Sequence, residues 1–251
     1  MTASRVRVDL ADRVGVLTLD DPDRRNALDL ALVAEIEAAI DDLEAGDCGA
    51  IVVTGAPPAF CAGADLSHLG STADEGLRQI YRGFVRLAES PLPTIAAVNG
   101  AAVGAGVNMA LCCDVIVAGA SARIDTRFLQ LGLHPGGGHT WMMRRLVGPQ
   151  TTKALVLLGD VIDGAEAERL GVAYRCVPDD DLLATARGLA AKAAAANPEL
   201  VRRIKATIDD VADIDAHPDA LERELVDQLW SITQPEFAER LAALQAKISG
   251  R

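Results

Sequence analysis

Aromatic residues are scarce in this chain: two Trp, two Tyr and four Phe, 3% of 251 residues. An aromatic-rich β-sandwich is therefore a poor fit. The apolar half of the sequence is carried by Ala, Leu and Val, which favours close helix packing and short strands. An excess of positive charge is also missing. The formal net charge is −12, which argues against nucleic acid as a main partner, because binding a phosphate backbone needs a basic face. A phosphorylated small ligand stays open, since it needs only about two or three local cations. No apolar run reaches the length of a bilayer span, so no membrane partner is expected. The five cysteines, Cys48, Cys61, Cys112, Cys113 and Cys176, are odd in number and contain no CxxC spacing, and no signal peptide opens the sequence. A reduced, cytoplasmic protein is the expectation.

The most informative stretch runs from Pro93 to Gly106, PTIAAVNGAAVGAG. Thr94 to Val98 has the apolar, β-branched character of a short buried strand. Asn99-Gly100 is a turn signal, and Gly104 and Gly106 allow another molecule to approach the backbone closely. An apolar helix is expected from Val107 to Cys113, so free N–H groups should emerge from its first turn. Strand, glycine turn and helix start make a site for a phosphate or an oxyanion. A tight strand-to-helix connection inside a core fits the same residues. The glycines at 100, 104 and 106 match neither GxGxxG nor GxxxxGK[ST].

The length allows one large domain or two small ones. Residues 5–10 and 14–19 read as an antiparallel hairpin. Asp29 is a candidate N-cap for a helix to about Ala45, with Val33, Ile36, Ile40 and Leu43 at helical spacing. Ile51 to Thr54 is a short strand, followed by a second glycine turn, AFCAGADL, and an amphipathic helix from Asp74 to Ser90. Further strands are expected at 114–118, 122–124 and 172–177, with helices at 139–147, 151–158 and 164–170. Past Asp179 four helices follow, roughly 181–196, 198–212, 216–231 and 235–248. Residues 1–178 thus form an α/β core and 179–251 a helical region.

Four segments in this order, PDRRNALD, AFCAGADL, AVNGAAVGAGVNMALCCD and GLHPGGGHT, resemble those of the crotonase superfamily, the enoyl-CoA hydratase/isomerase family. The resemblance covers nearly the whole chain up to the C-terminal helices. It implies a spiral of ββα units followed by a C-terminal helical oligomerisation region that builds trimers, commonly paired into hexamers. Leu225, Leu229, Trp230 and Phe237 would then be buried between subunits. The implied substrates are acyl-CoA thioesters, with no cofactor beyond the CoA of the substrate itself. Two backbone N–H groups would hold the thioester carbonyl as it becomes an enolate. By motif these are Ala64, in CAGAD, and Ala105, in VGAGV. Each such donor in a dry site stabilises the developing charge by roughly 3–4 kcal/mol. The resemblance also implies a CoA path along Arg24, Arg25 and Ala27, with main-chain groups of Ala62, Asp65 and Leu66 near the adenine. Arg24 or Arg25 would meet a phosphate; a solvated surface pair is the alternative.

The sequence departs from the hydratases where they place two glutamates. By register those positions hold Asn108 and Phe128, and neither side chain takes a proton at neutral pH. Some isomerases in the family keep only the second glutamate, which is also absent. Asp125 is either a replacement base or the N-cap of a helix starting near Thr126. His134 is either a near-neutral proton carrier facing the acyl chain or a loop histidine in solvent. Asn108 could still orient a water or a substrate oxygen through its amide. His139 reads as opening the next helix, His68 as a surface residue, and His134 with His139 lacks a third ligand for a metal. The sequence therefore points to an acyl-CoA enzyme with altered acid–base groups, or to a non-catalytic acyl-CoA binder or carrier.

Overall fold

A computed structural model describes residues 4–65 and 73–249. Residues 4–61 build a hairpin, β1 (Val6–Ala11) and β2 (Val14–Leu19), then α1 (Leu30–Ala45), β3 (Ala50–Gly55) and β4 (Ala59–Cys61). Asp29 does cap α1: its carboxylate accepts from Leu32 N at 2.8 Å, and Gly46 ends the helix. Next come α2 (Ala73–Ala88), β5 (Thr94–Val98), β6 (Ala101–Val103), α3 (Ala105–Leu111), β7 (Val115–Gly119) and β8 (Arg123–Asp125). The core closes with α4 (His139–Leu157), β9 (Ile162–Asp163), α5 (Gly164–Leu170), β10 (Arg175–Val177) and α6 (Leu182–Ala194). The helices expected at 139–147 and 151–158 are the two halves of α4. They are split at Gly148, whose φ of 76° and ψ of 172° break the helix just before Pro149.

Two sheets organise the core. One has the order β1-β2-β3-β5-β7-β10, the other β4-β6-β8-β9. Successive chain segments place one strand in each, β3 and β4, then β5 and β6, then β7 and β8, so the chain advances as a spiral. The large sheet is parallel from β2 to β10, and β3 is buried along almost its whole length. Side chains alternate between its faces: Ile51 and Val53 join a core with α1, while Ala50 and Val52 join one with α6.

Helix α6 accounts for a difference from the boundary expected at 178/179. The chain divides into compact units Met1–Ala195 and Ala196–Arg251, so the first tail helix belongs with the sheet. Leu182, Ala186, Ala190 and Ala194 repeat every four residues and are buried on the sheet. Small residues allow the approach: a Cβ on Gly49 would lie 2.7 Å from Ala194 Cα. The second unit contains α7 (Pro198–Val211), α8 (His217–Ile232) and α9 (Pro235–Ser249). Asp227 joins α7 to α8, accepting from Arg203 and Arg223 at 2.7 Å each and from Thr207 at 3.0 Å. Among the described residues no helix is long and apolar enough to cross a membrane.

Candidate active site

The two glycine turns lie against each other. Gly63 has φ 104°, and a Cβ there would sit 3.0 Å from Val103 O and 4.0 Å from Ala105 N. A Cβ on Gly106 would sit 2.1 Å from Cys61 O, so a side chain at 106 would force the turns apart. Asn26 staples the upstream segment to the same place. Its Nδ2 donates to Ala56 O at 2.9 Å and Ala59 O at 2.8 Å, and its Oδ1 accepts from Asp21 N at 2.9 Å.

A cavity of ≈ 150 Å³ opens over this junction. Its floor is Ala62 to Ala64 and Val103 to Ala105; one wall is Leu77, Ile80 and Tyr81 of α2; the other is Thr126 to Phe128, Leu131 and Leu133. Asn108, His134 and Gly136 complete it. The wall from α2 was not assigned from sequence, although 77, 80 and 81 share one face of an amphipathic helix.

The backbone donors follow from the pairing. Leu28 bridges Ala64 in parallel register. The bridge uses the flanking groups: Leu28 N donates to Gly63 O at 2.8 Å, and Asp65 N donates to Leu28 O at 2.7 Å. The Ala64 N–H therefore faces the other side. Ala105 is the first residue of α3, where an N–H has no intrahelical acceptor. Two such groups from separate turns thus belong to residues lining one cavity.

The expected CoA path is partly occupied. Arg24 forms ion pairs with Asp29 and Asp65, and Asp29 also binds Arg5 through two 2.9 Å hydrogen bonds. The paired guanidiniums hold the Asp29 carboxyl well below the usual carboxylate range. Arg25 is exposed, left-handed in backbone (φ 53°), and has no carboxylate partner among the described residues. Ala27 is half-buried. The N–H groups of Ala62 and Asp65 are already donated, to Arg25 O at 3.0 Å and Leu28 O at 2.7 Å. Leu66 and His68 lie outside the described residues.

The candidate bases separate clearly. Asp125 ends β8 and does not cap a helix; the next helical turn is the 3-10 turn Leu129–Leu131, preceded by Phe128. Its buried carboxylate accepts from Arg127 Nε at 2.9 Å, and Asp125 is not among the cavity-lining residues. His134 is exposed at the cavity, with Nδ1 2.8 Å from Pro135 O. A carbonyl can only accept, so Nδ1 carries the hydrogen, which leaves Nε2 as the lone-pair nitrogen of the neutral ring. Among the described residues the lining includes Arg127 and His134 but no Asp or Glu.

His139 does open α4, but it also does something its position in the sequence gave no sign of. It is 1% exposed, its Nδ1 lies 2.7 Å from Asn108 Oδ1, and the Phe128 ring stands edge-on to it at 4.9 Å. Burial pushes its pKa down to about 4, from an ordinary value of 6.5. Between those values an unfolded chain binds a proton that the folded chain does not. Stability is therefore full above pH 6.5 and falls as pH drops towards 4, by up to about 3 kcal/mol. His139→Phe, which keeps a ring and does not titrate, should flatten this part of the acid slope in denaturant unfolding from pH 7 to 4.5. An unchanged slope would remove His139 as its source.

Comparison with known proteins agrees with this architecture. The enoyl-CoA hydratase/isomerase family model matches residues 9–242. A probable enoyl-CoA hydratase of Mycobacterium tuberculosis, EchA14, is 49% identical over 242 residues, covering 92% of this chain and 94% of its own. A probable enoyl-CoA hydratase of Rhizobium meliloti is 34% identical over 251 residues, covering 98% and 97%. The crystal structure of an enoyl-CoA hydratase from Bacillus anthracis superposes with a TM-score of 0.90 at 30% identity, covering 97% of this chain and 96% of that one. The spiral is the crotonase fold. The chain belongs to the enoyl-CoA hydratase/isomerase family.

Proposed function

We infer that this protein binds acyl-CoA thioesters and holds the thioester carbonyl between the N–H groups of Ala64 and Ala105, stabilising an enolate. The observation that carries the reading is a pair of backbone N–H groups, without an acceptor among the described residues, on residues that line one cavity. Arg25 is the cation for a CoA phosphate, and Arg24 instead braces the turn through its two carboxylates. Titration calorimetry with acetyl-CoA and longer acyl-CoAs tests the reading. Saturable binding is expected, and none at millimolar thioester would end it.

Asn108 and Phe128 stand where hydratases carry glutamates, so the protein is a poor hydratase. Its chemistry is proton transfer next to the thioester or double-bond migration, with His134 Nε2 as the base. Asp125, committed to Arg127, is set aside. Exchange of the acyl α-proton in deuterated water should fall about 10²-fold or more in His134→Ala. Exchange absent in the wild type would favour a second reading, a non-catalytic acyl-CoA binder or carrier, which the lack of a carboxylate among the described lining residues supports.

The reading extends to a trimer or a hexamer. Within the first unit Trp141 and Leu158 are 60% and 83% exposed, and in the second Leu225, Leu229 and Phe237 are exposed as well. Such side chains need a partner surface. Light scattering should give a multiple of three chains; a monomer across the micromolar range would contradict this.

A further inference from the structure

The large sheet has an open side. β1 is its first strand, and among the described residues it pairs only with β2. The ladder fixes which of its backbone groups are free. Asp20 N donates to Arg5 O at 2.7 Å, and Val6 stands opposite Leu19. Arg5, Arg7, Asp9 and Ala11 therefore turn their backbone groups towards β2, and Val6, Val8 and Leu10 turn theirs outwards. Ser4 agrees with this: its Oγ donates to Val6 O at 2.8 Å and accepts from Val6 N at 3.3 Å. The outward N–H and C=O groups of Val8 and Leu10 have no partner among the described residues. Their side chains are 42% and 48% exposed, and they line a groove of ≈ 520 Å³ with Ala39 and Leu43 of α1. An unpaired edge beside an apolar groove is a template for another strand.

We propose that this edge is an interface with a second copy of the chain: the two β1 strands pair antiparallel about a twofold axis at Val8 and join their sheets into one. The occupant follows from the sequence Val6-Arg7-Val8-Asp9-Leu10, which complements itself. With Val8 opposite Val8 of the second copy, Val6 meets Leu10 and Arg7 meets Asp9, each of them twice. The Val8 pair is then hydrogen-bonded, as its outward groups require. Arg7 and Asp9 form the non-hydrogen-bonded pairs, where Cα atoms are about 4.5 Å apart and side chains lie closest. Both side chains are exposed, on the face away from the groove, Arg7 Nε 3.4 Å from Asp20 and Asp9 against Arg187 of α6. An axis at Arg7 or at Asp9 would set like charges opposite each other. An axis half a residue away would place outward backbone groups against inward ones. A lone charge on an edge strand discourages pairing, but here each charge finds its opposite. On the other face, Val6, Val8 and Leu10 of the two copies make one apolar strip along the grooves. The pairing does not depend on the acyl-CoA reading. It is twofold, so it doubles whatever assembly other surfaces form.

Sedimentation equilibrium and amide hydrogen exchange on the full chain test the pairing. The wild type should contain an even number of chains. Arg7→Asp, which opposes acidic side chains on both sides of the axis, should halve that number or weaken the association at least about tenfold. Arg7→Asp combined with Asp9→Arg renews the complement and should restore the assembly; the pairs lost within the chain are exposed and worth little. Val8→Pro should halve the number too. The N–H it removes lies outside the β1–β2 ladder, so the hairpin is kept. In the wild type the amide hydrogens of Val8 and Leu10 should exchange slowly at high protein concentration and faster on dilution, a readout that needs no variant. An odd number of chains, an assembly that Arg7→Asp and Val8→Pro leave intact, no recovery in the double variant, or fast exchange at Val8 at every concentration would each overturn the proposal and leave the edge to some other extended segment.

Discussion

Hydration of crotonyl-CoA by this protein should run at least about 10⁴-fold slower than in an enzyme carrying both glutamates. A positioned acid or base contributes typically about 10²–10⁴-fold, and two that act as a unit do not simply multiply. Asn108 is held by Gly136 O and His139 Nδ1, and Phe128 is packed edge-on against the His139 ring. Neither can activate a water. The nearest carboxylate in sequence, Asp125, is paired with Arg127. The assay is loss of the enoyl thioester absorbance under saturating crotonyl-CoA. Turnover matching a two-glutamate enzyme would mean that another group activates the water.

Ala105→Pro should lower α-proton exchange on an acyl-CoA by about 10²–10³-fold, the usual loss when one oxyanion donor is removed. The substitution is chosen for its position. Ala105 is the first residue of α3, where proline is well tolerated because its missing N–H would have no helical partner. Gly104 precedes it and has no Cβ to clash with the ring. The variant deletes a donor and leaves the rest of the turn in place. Exchange measured by proton NMR in deuterated water, in wild type and variant, gives the answer. An unchanged rate in Ala105→Pro would mean that its N–H does not stabilise the enolate.

Much of this architecture is legible in the residues. The alternation of β1 and β2, the cap at Asp29 and the helical spacing of α1 each draw on local physics, and each element forms where that physics places it. The second sheet is far less legible. Strand β8 forms within one residue of where it was expected, but β4 and β6 are three residues each, too short for a periodicity, and both sit beside glycine turns. Helix α6 reads as tail because its buried stripe is alanine, which is equally at home on a surface. In the site, the two small-residue turns are visible because close backbone approach demands Gly63 and Gly106. The choice between Arg24 and Arg25 is not visible, since it depends on Asp65, about forty residues away. The His139–Asn108 pair joins residues 31 apart, which no local pattern reports.

The most direct measurement is a crystal structure with a non-reactive acyl-CoA analogue bound. The thioester oxygen should lie about 2.7–3.1 Å from both Ala64 N and Ala105 N, the distance at which such donors act. A thioester oxygen held elsewhere, with either N–H facing water, would contradict the account.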